Sequence, residues 1–167
     1  ETYILSNDSF SREVLDSLSE AQKRGVKVRI LMDAAGSAFG ISQTIAELNK
    51  RGLEYRVYRP FFVLGFWQTL WNIFRFLRYF NQRNHRKTWI IDRRRAFLSS
   101  MNISKVHLRR FMGTMAWCDY GVSFEGGEEL TQLHVAFEKA WKDFKVFKSI
   151  SSMLIPRFSN SIKTHLS

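Results

Sequence analysis

His85, Lys87, Asp92, Ser100 and Asn102 fall in one short block of the sequence, Asn84-His85-Arg86-Lys87-Thr88-Trp89-Ile90-Ile91-Asp92 followed by Ser99-Ser100-Met101-Asn102. Their types suit attack on a phosphate diester. An imidazole can serve as nucleophile or as proton donor, and a fixed ammonium can hold the non-bridging oxygens while charge builds on them. His85 and Lys87 are two residues apart, so an extended backbone points both to one face, together with Trp89 and Ile91. Arg86, Thr88 and Ile90 then face the other way. Lys87, Ser100 and Asn102 are the candidate phosphoryl-oxygen ligands. Asp92 closes the block and also suits a turn after the strand.

A nucleophilic histidine needs its second nitrogen held by an acceptor, which fixes the tautomer. Asp119 is the candidate, at the mouth of an expected strand beside an apolar run. A single histidine cannot be both covalent nucleophile and leaving-group acid, so a second histidine must come from elsewhere. The role of His85 within that pair is left open.

The block reads H-x-K-x4-D-x6-S-S-x-N. It resembles the signature of the phospholipase D superfamily, and its Asn-His-Arg-Lys opening is most similar to the cardiolipin synthase branch. The resemblance extends over most of the chain. Thr2-Tyr3-Ile4-Leu5 through Asp8 resembles the opening of bacterial cardiolipin synthases, as does Ala21-x-x-Arg24-Gly25-Val26-x-Val28-Arg29-Ile30-Leu31-x-Asp33-x-x-Gly36-Ser37. Trp117-x-Asp119 and Phe137-x-x-x-Trp141 resemble the closing part of the first half of those enzymes. One departure is Ser99, where the family usually has glycine.

The resemblance implies a phosphohistidine intermediate, an acid near position 119, and two halves that each supply one motif. Only one motif is present here. It also implies phosphatidyl transfer on anionic phospholipids at a membrane, that of the bacterial cytoplasm. No cofactor or metal is called for. Cys118 is the only cysteine, and His85, His107, His134 and His165 lack metal-ligand spacing.

The elements that must position these residues follow from periodicity. Thr2 to Leu5 is an expected strand and Asn7-Asp8-Ser9 a helix cap. Phe10, Val14, Leu15, Leu18 and Ala21 recur at helical spacing. Strands are expected over Val26 to Met32, Tyr55 to Tyr58, Lys87 to Ile91, Ala96 to Leu98 and Tyr120 to Phe124. Helices are expected around Ile41 to Leu48 and Leu130 to Trp141. The fold class is α/β, a mixed and largely parallel sheet flanked by helices, as in the α/β/α sandwich of the phospholipase D family.

With 167 residues and a 45% apolar fraction, one domain is expected over residues 1–144. Residues 145–167 read as a linker or the start of a missing second half. The chain opens on Glu1 without a signal-peptide pattern and reads as an excised segment of a longer protein.

Lys and Arg outnumber Asp and Glu by 26 to 15, a net charge of +11 that points to anionic partners. An insert over residues 60–80 is rich in aromatic residues. On a helix, Trp67, Trp71 and Phe74 share one face while Arg75 and Arg78 share another, which suits an anionic bilayer interface better than a membrane span. A core helix would show a similar stripe. The expected partners are an anionic phospholipid, a membrane surface, and a second phospholipase D-like half or a homodimer partner. A phosphodiesterase or nuclease that pairs two single-motif chains on nucleic acid is the alternative, followed by a non-catalytic membrane-binding module.

Overall fold

A computed structural model describes residues 1–38, 40–58 and 83–143. The insert with Trp67, Trp71, Phe74, Arg75 and Arg78, and the tail from 144 on, lie outside the described residues. Helix α1 spans Ser9–Lys23, and the Asp8 side chain caps its N-terminus by accepting the Ser11 N–H at 2.9 Å. Strand β1 (Arg29–Asp33) pairs in parallel with β2 (Glu54–Tyr58) across helix α2 (Ile41–Lys50). The alternation of Ile30 and Met32 with Leu31 decides what lies on each side. Ile30 and Met32 pack with Leu15 of α1 and Ile45 and Leu48 of α2. Leu31 faces the other way, onto Phe137 and Trp141 of helix α4 (Gly127–Asp143).

The second half of the domain is antiparallel. Strands β3 (Thr88–Ile91), β4 (Arg95–Ser99) and β5 (Gly121–Glu125) form a meander in the order β3-β4-β5. The class is therefore mixed α/β with helices on both faces. The parallel pairing sits where the β-α-β pattern is, and the meander supplies the rest. At the β3–β4 turn, Arg94 N–H donates to the Ile91 carbonyl while Asp92 and Arg93 both have positive φ, as a type I′ turn requires.

Residues 1–6 stitch the two sheets together. Thr2 bridges Met32 in parallel, Leu5 bridges Ile103 in parallel, and Thr88 N–H donates to the Glu1 carbonyl at 3.0 Å. Gly36 lets this segment pass, because a Cβ there would come within 2.8 Å of the Tyr3 carbonyl carbon. The next residue completes the contact: Ser37 Oγ accepts the Leu5 N–H at 3.1 Å.

Between β5 and Asn102 the chain forms a 3-10 turn (Lys105–His107), a one-turn helix α3 (Arg109–Met112) and a second 3-10 turn (Gly113–Met115). None of these short turns carries a periodic signal. Asp8 anchors the first of them, because its second oxygen accepts the Lys105 N–H at 2.9 Å and the Ser104 hydroxyl at 3.3 Å. Burial pushes the Asp8 carboxyl up, but these donors and Ser11 outweigh it and hold the group below its ordinary value.

Candidate active site

The end of β1, residues 1–6, the approach to β3 and the exit from β4 meet at one edge of the sheet, and His85, Lys87, Ser100 and Asn102 collect there. Asp33 prepares the approach. It is wholly buried at the end of β1; Oδ1 accepts the Ala35 N–H at 2.7 Å and Oδ2 the Asn84 N–H at 3.0 Å. Burial drives its carboxyl up, against those N–H donors and the Arg83 guanidinium 3.7 Å away. The Glu1 carboxylate holds the other side of the same segment. It accepts Asn84 Nδ2 at 3.1 Å and Thr88 Oγ1 at 2.9 Å. The backbone carrying His85 is thus clamped at residues 84 and 88.

His85 itself is exposed, with its ring 4.5 Å from the Tyr3 ring centroid and tilted 49°. Lys87 is buried. Its Nζ lies 3.1 Å from His85 Nδ1 and 3.4 Å from Nε2, donates to the His85 carbonyl at 3.0 Å, and sits 5.4 Å above the Tyr3 ring. An ammonium has three donors. One goes to that carbonyl and one to the imidazole, which leaves the third outside these two bonds. Burial lowers the Lys87 pKa, and the charge of Asp119 works against that shift.

Asp119 does not hold the second nitrogen of His85; it binds Ser100 and His107 instead. Ser100 Oγ donates to Asp119 Oδ1 at 2.5 Å, and His107 Nδ1 meets Asp119 Oδ2. Burial raises the Asp119 carboxyl, but the Ser100 hydroxyl, the His107 N–H and the nearby Lys87 charge bring it below its ordinary value. Among the described residues no carboxylate bonds the His85 ring.

Ser100 is also committed. Its hydroxyl proton goes to Asp119, its oxygen accepts the Tyr120 N–H at 3.3 Å, and its own N–H donates to the Tyr120 carbonyl at 3.0 Å. Neither of its donors faces an incoming phosphate in this arrangement. Asn102 is buried, and its Oδ1 accepts the Ile4 N–H at 3.1 Å, a bond that does not engage the amide Nδ2. Asp92 lies in the hairpin turn, five residues along the strand from Lys87, or roughly 16 Å away. Its place is that of a turn former.

Ser99 stands where glycine is usual, and the neighbouring strand makes room for it. Its partner across the ladder is Gly121, where a Cβ would press to 3.4 Å from Ser99 Cβ and 3.3 Å from the Leu98 carbonyl oxygen.

Sequence reasoning passed over Glu1, Tyr3, Asp33 as a buried acceptor, and His107. Asp33 had a visible signal, an acid at the end of an apolar strand followed by a glycine turn. His107 had none, because only the folded chain brings it to Asp119. A cavity of about 450 Å³ lies between α1, β1 and β3, lined by Leu15, Leu18, Val28 and Ile90 together with charged Glu1, Arg29 and Asp92, but none of His85, Lys87 and Asn102 lines it. Among the described residues no three His, Cys, Asp or Glu side chains gather as a metal-ligand set, and no helix is long and apolar enough to cross a membrane.

The profile of the family described as "Cardiolipin synthase, PLD-like domain" matches residues 1–141. The chain belongs to this family. It is 31% identical over 142 residues to probable cardiolipin synthase YwiE of Bacillus subtilis, an alignment that takes in 85% of this chain and 26% of that protein. Cardiolipin synthase B of Salmonella typhimurium is 36% identical over 126 residues, 75% of this chain and 28% of the relative. Cardiolipin synthase 2 of Bacillus anthracis is 35% identical over 142 residues, 84% and 25% of the two lengths. The chain thus spans about a quarter of the length of the curated relatives it matches.

Proposed function

We propose that this chain supplies one of the two His-Lys motifs of a phosphatidyltransferase of cardiolipin synthase type, acting on anionic phospholipids at a membrane surface. The observation that carries the reading is the buried Lys87 ammonium held 3.1 Å from the exposed His85 ring. A cation fixed beside a solvent-facing imidazole suits phosphoryl substitution.

In the first step one histidine nitrogen bonds to phosphorus. The P–O bond to the leaving glycerol breaks, and a second histidine gives that oxygen its proton. In the second step the same histidine takes a proton from the acceptor alcohol. The acceptor oxygen bonds to phosphorus and the P–N bond breaks, so both histidines return to their starting state. Lys87 and Asn102 Nδ2 hold the phosphoryl oxygens. The open side of His85 and the lack of an acceptor for its second ring nitrogen among the described residues support a partner unit, either a second half or a second copy. The insert bearing Trp67, Trp71, Phe74, Arg75 and Arg78 is the proposed membrane contact, its arginines meeting anionic headgroups.

The test is a rapid acid-free quench of the complete enzyme with headgroup-labelled and acyl-labelled phosphatidylglycerol, followed by peptide mapping. An acyl-labelled, acid-labile adduct on a motif histidine is the expected result. Turnover without any histidine adduct would overturn the covalent route, and turnover of nucleic acid alone would favour the paired nuclease.

A further inference from the structure

His107 belongs to no motif singled out above, yet it is buried, with a side chain only 1% exposed, and it makes two directional bonds. We propose that His107 is a positioning residue of the site, a neutral imidazole that ties the Asp119 carboxylate to the main chain of Asn102. This rests on the proposed phosphatidyl-transfer reading.

The hydrogen bonds assign its state. Nε2 accepts the Asn102 N–H at 3.3 Å, so Nε2 carries no proton. Nδ1 therefore carries it and donates to Asp119 Oδ2. Asp119 Oδ1 receives the Ser100 hydroxyl, and Ser100 is bonded both ways to Tyr120. Ser100, Asn102, His107 and Asp119 thus form a closed loop of bonds around the Ser100–Asn102 bend. The bend also has an outer anchor, the Ile4 N–H on Asn102 Oδ1.

The turn bearing His107 is itself pinned. Asp8 holds the Ser104 hydroxyl and the Lys105 N–H, Trp117 N–H donates to the Val106 carbonyl, and the Trp117 ring stands edge-on at 5.4 Å. The imidazole bonds Asn102 and Asp119, not His85. Its effect on chemistry is indirect. It fixes where Asn102 Nδ2 points and keeps one carboxylate near Lys87, whose charge that carboxylate supports.

Two variants separate positioning from bulk structure. His107→Phe keeps a ring and loses both bonds. His107→Gln keeps one donor and one acceptor on an uncharged side chain. In the complete enzyme, with phosphatidylglycerol vesicles as substrate, His107→Phe should lower kcat about 100-fold, as a misplacement of the order of 1 Å does. KM should stay within about twofold. His107→Gln should recover most of the kcat.

Melting curves accompany both. A His107→Phe enzyme that melts lower but keeps wild-type kcat would overturn the proposal, as would a His107→Gln enzyme no better than the phenylalanine variant. Nitrogen NMR of labelled histidine in the wild-type enzyme gives a readout independent of turnover, with a protonated Nδ1 and a bare Nε2 expected at His107. A protonated Nε2 would overturn the bridge even in an active enzyme. A wild-type enzyme that shows the bridge but transfers no phosphatidyl group would instead overturn the reading of the reaction, and with it a positioning role in that reaction.

Discussion

Lys87 is the residue most constrained by its surroundings. It is buried, stacked over Tyr3, bonded to the His85 carbonyl and close to one carboxylate. Burial disfavours its charged form, so its pKa lies below that of an ordinary lysine. The proposed reaction calls for the ammonium, and the alkaline fall of kcat/KM should therefore begin at lower pH than for an exposed lysine, whose pKa is about 10.4. Asp119 opposes the shift. Asp119→Asn removes that negative charge and should move the alkaline limb to still lower pH, which a pH–rate profile would show; an unmoved limb would mean that Lys87 does not feel Asp119. His85 and Lys87 were legible from sequence because their two-residue spacing suits a shared face on an extended chain, although β3 itself begins only at Thr88. The partner of Asp119 was not. Nothing in the chain near position 119 indicates that His107 and Ser100 reach it before His85 does, since that choice depends on the fold of residues 103–118.

At the element scale, the strands and long helices were readable because each has a period: Ile30 and Met32 against Leu31 in β1, and Phe137 to Trp141 along α4. The 3-10 turns after Asn102 have no period, and they owe their shape to Asp8. That carboxylate caps α1 and binds Lys105 and Ser104 at once. Asp8→Ala should cost about 0.5–2 kcal/mol at neutral pH for the cap alone. The folded pKa of Asp8 lies below its ordinary value. Its stabilisation is therefore complete above the ordinary carboxylate range and is lost as pH falls through the lower folded value. Denaturant titrations should show the gap between wild type and Asp8→Ala closing toward acid pH. A gap that stays constant would assign the effect to packing.

At the scale of the whole molecule, the alternation of expected strands and helices over residues 2–58 predicted parallel pairing; β1 and β2 show it, while Thr2 to Leu5 contributes only isolated bridges. The antiparallel meander β3-β4-β5 has separate causes: a type I′ turn at Asp92-Arg93 joins β3 to β4, and the longer connection over residues 100–120 returns the chain so that Val122 pairs with Leu98, itself opposite Thr88. The site opens at the edge where the two patterns join, and His85 faces outward there. One motif cannot provide both nucleophile and leaving-group acid, so residues 1–167 as a demonstrated monomer should not turn over. Light scattering alongside the activity assay checks this, and monomeric turnover would contradict it. The most direct test of the whole account is cardiolipin formation from labelled phosphatidylglycerol by the complete enzyme, with and without His85→Ala. His85 is exposed, so the variant should melt close to wild type while turnover falls by several orders of magnitude, as for loss of a nucleophile in other enzymes. A folded His85→Ala enzyme that still makes cardiolipin at near the wild-type rate would contradict it.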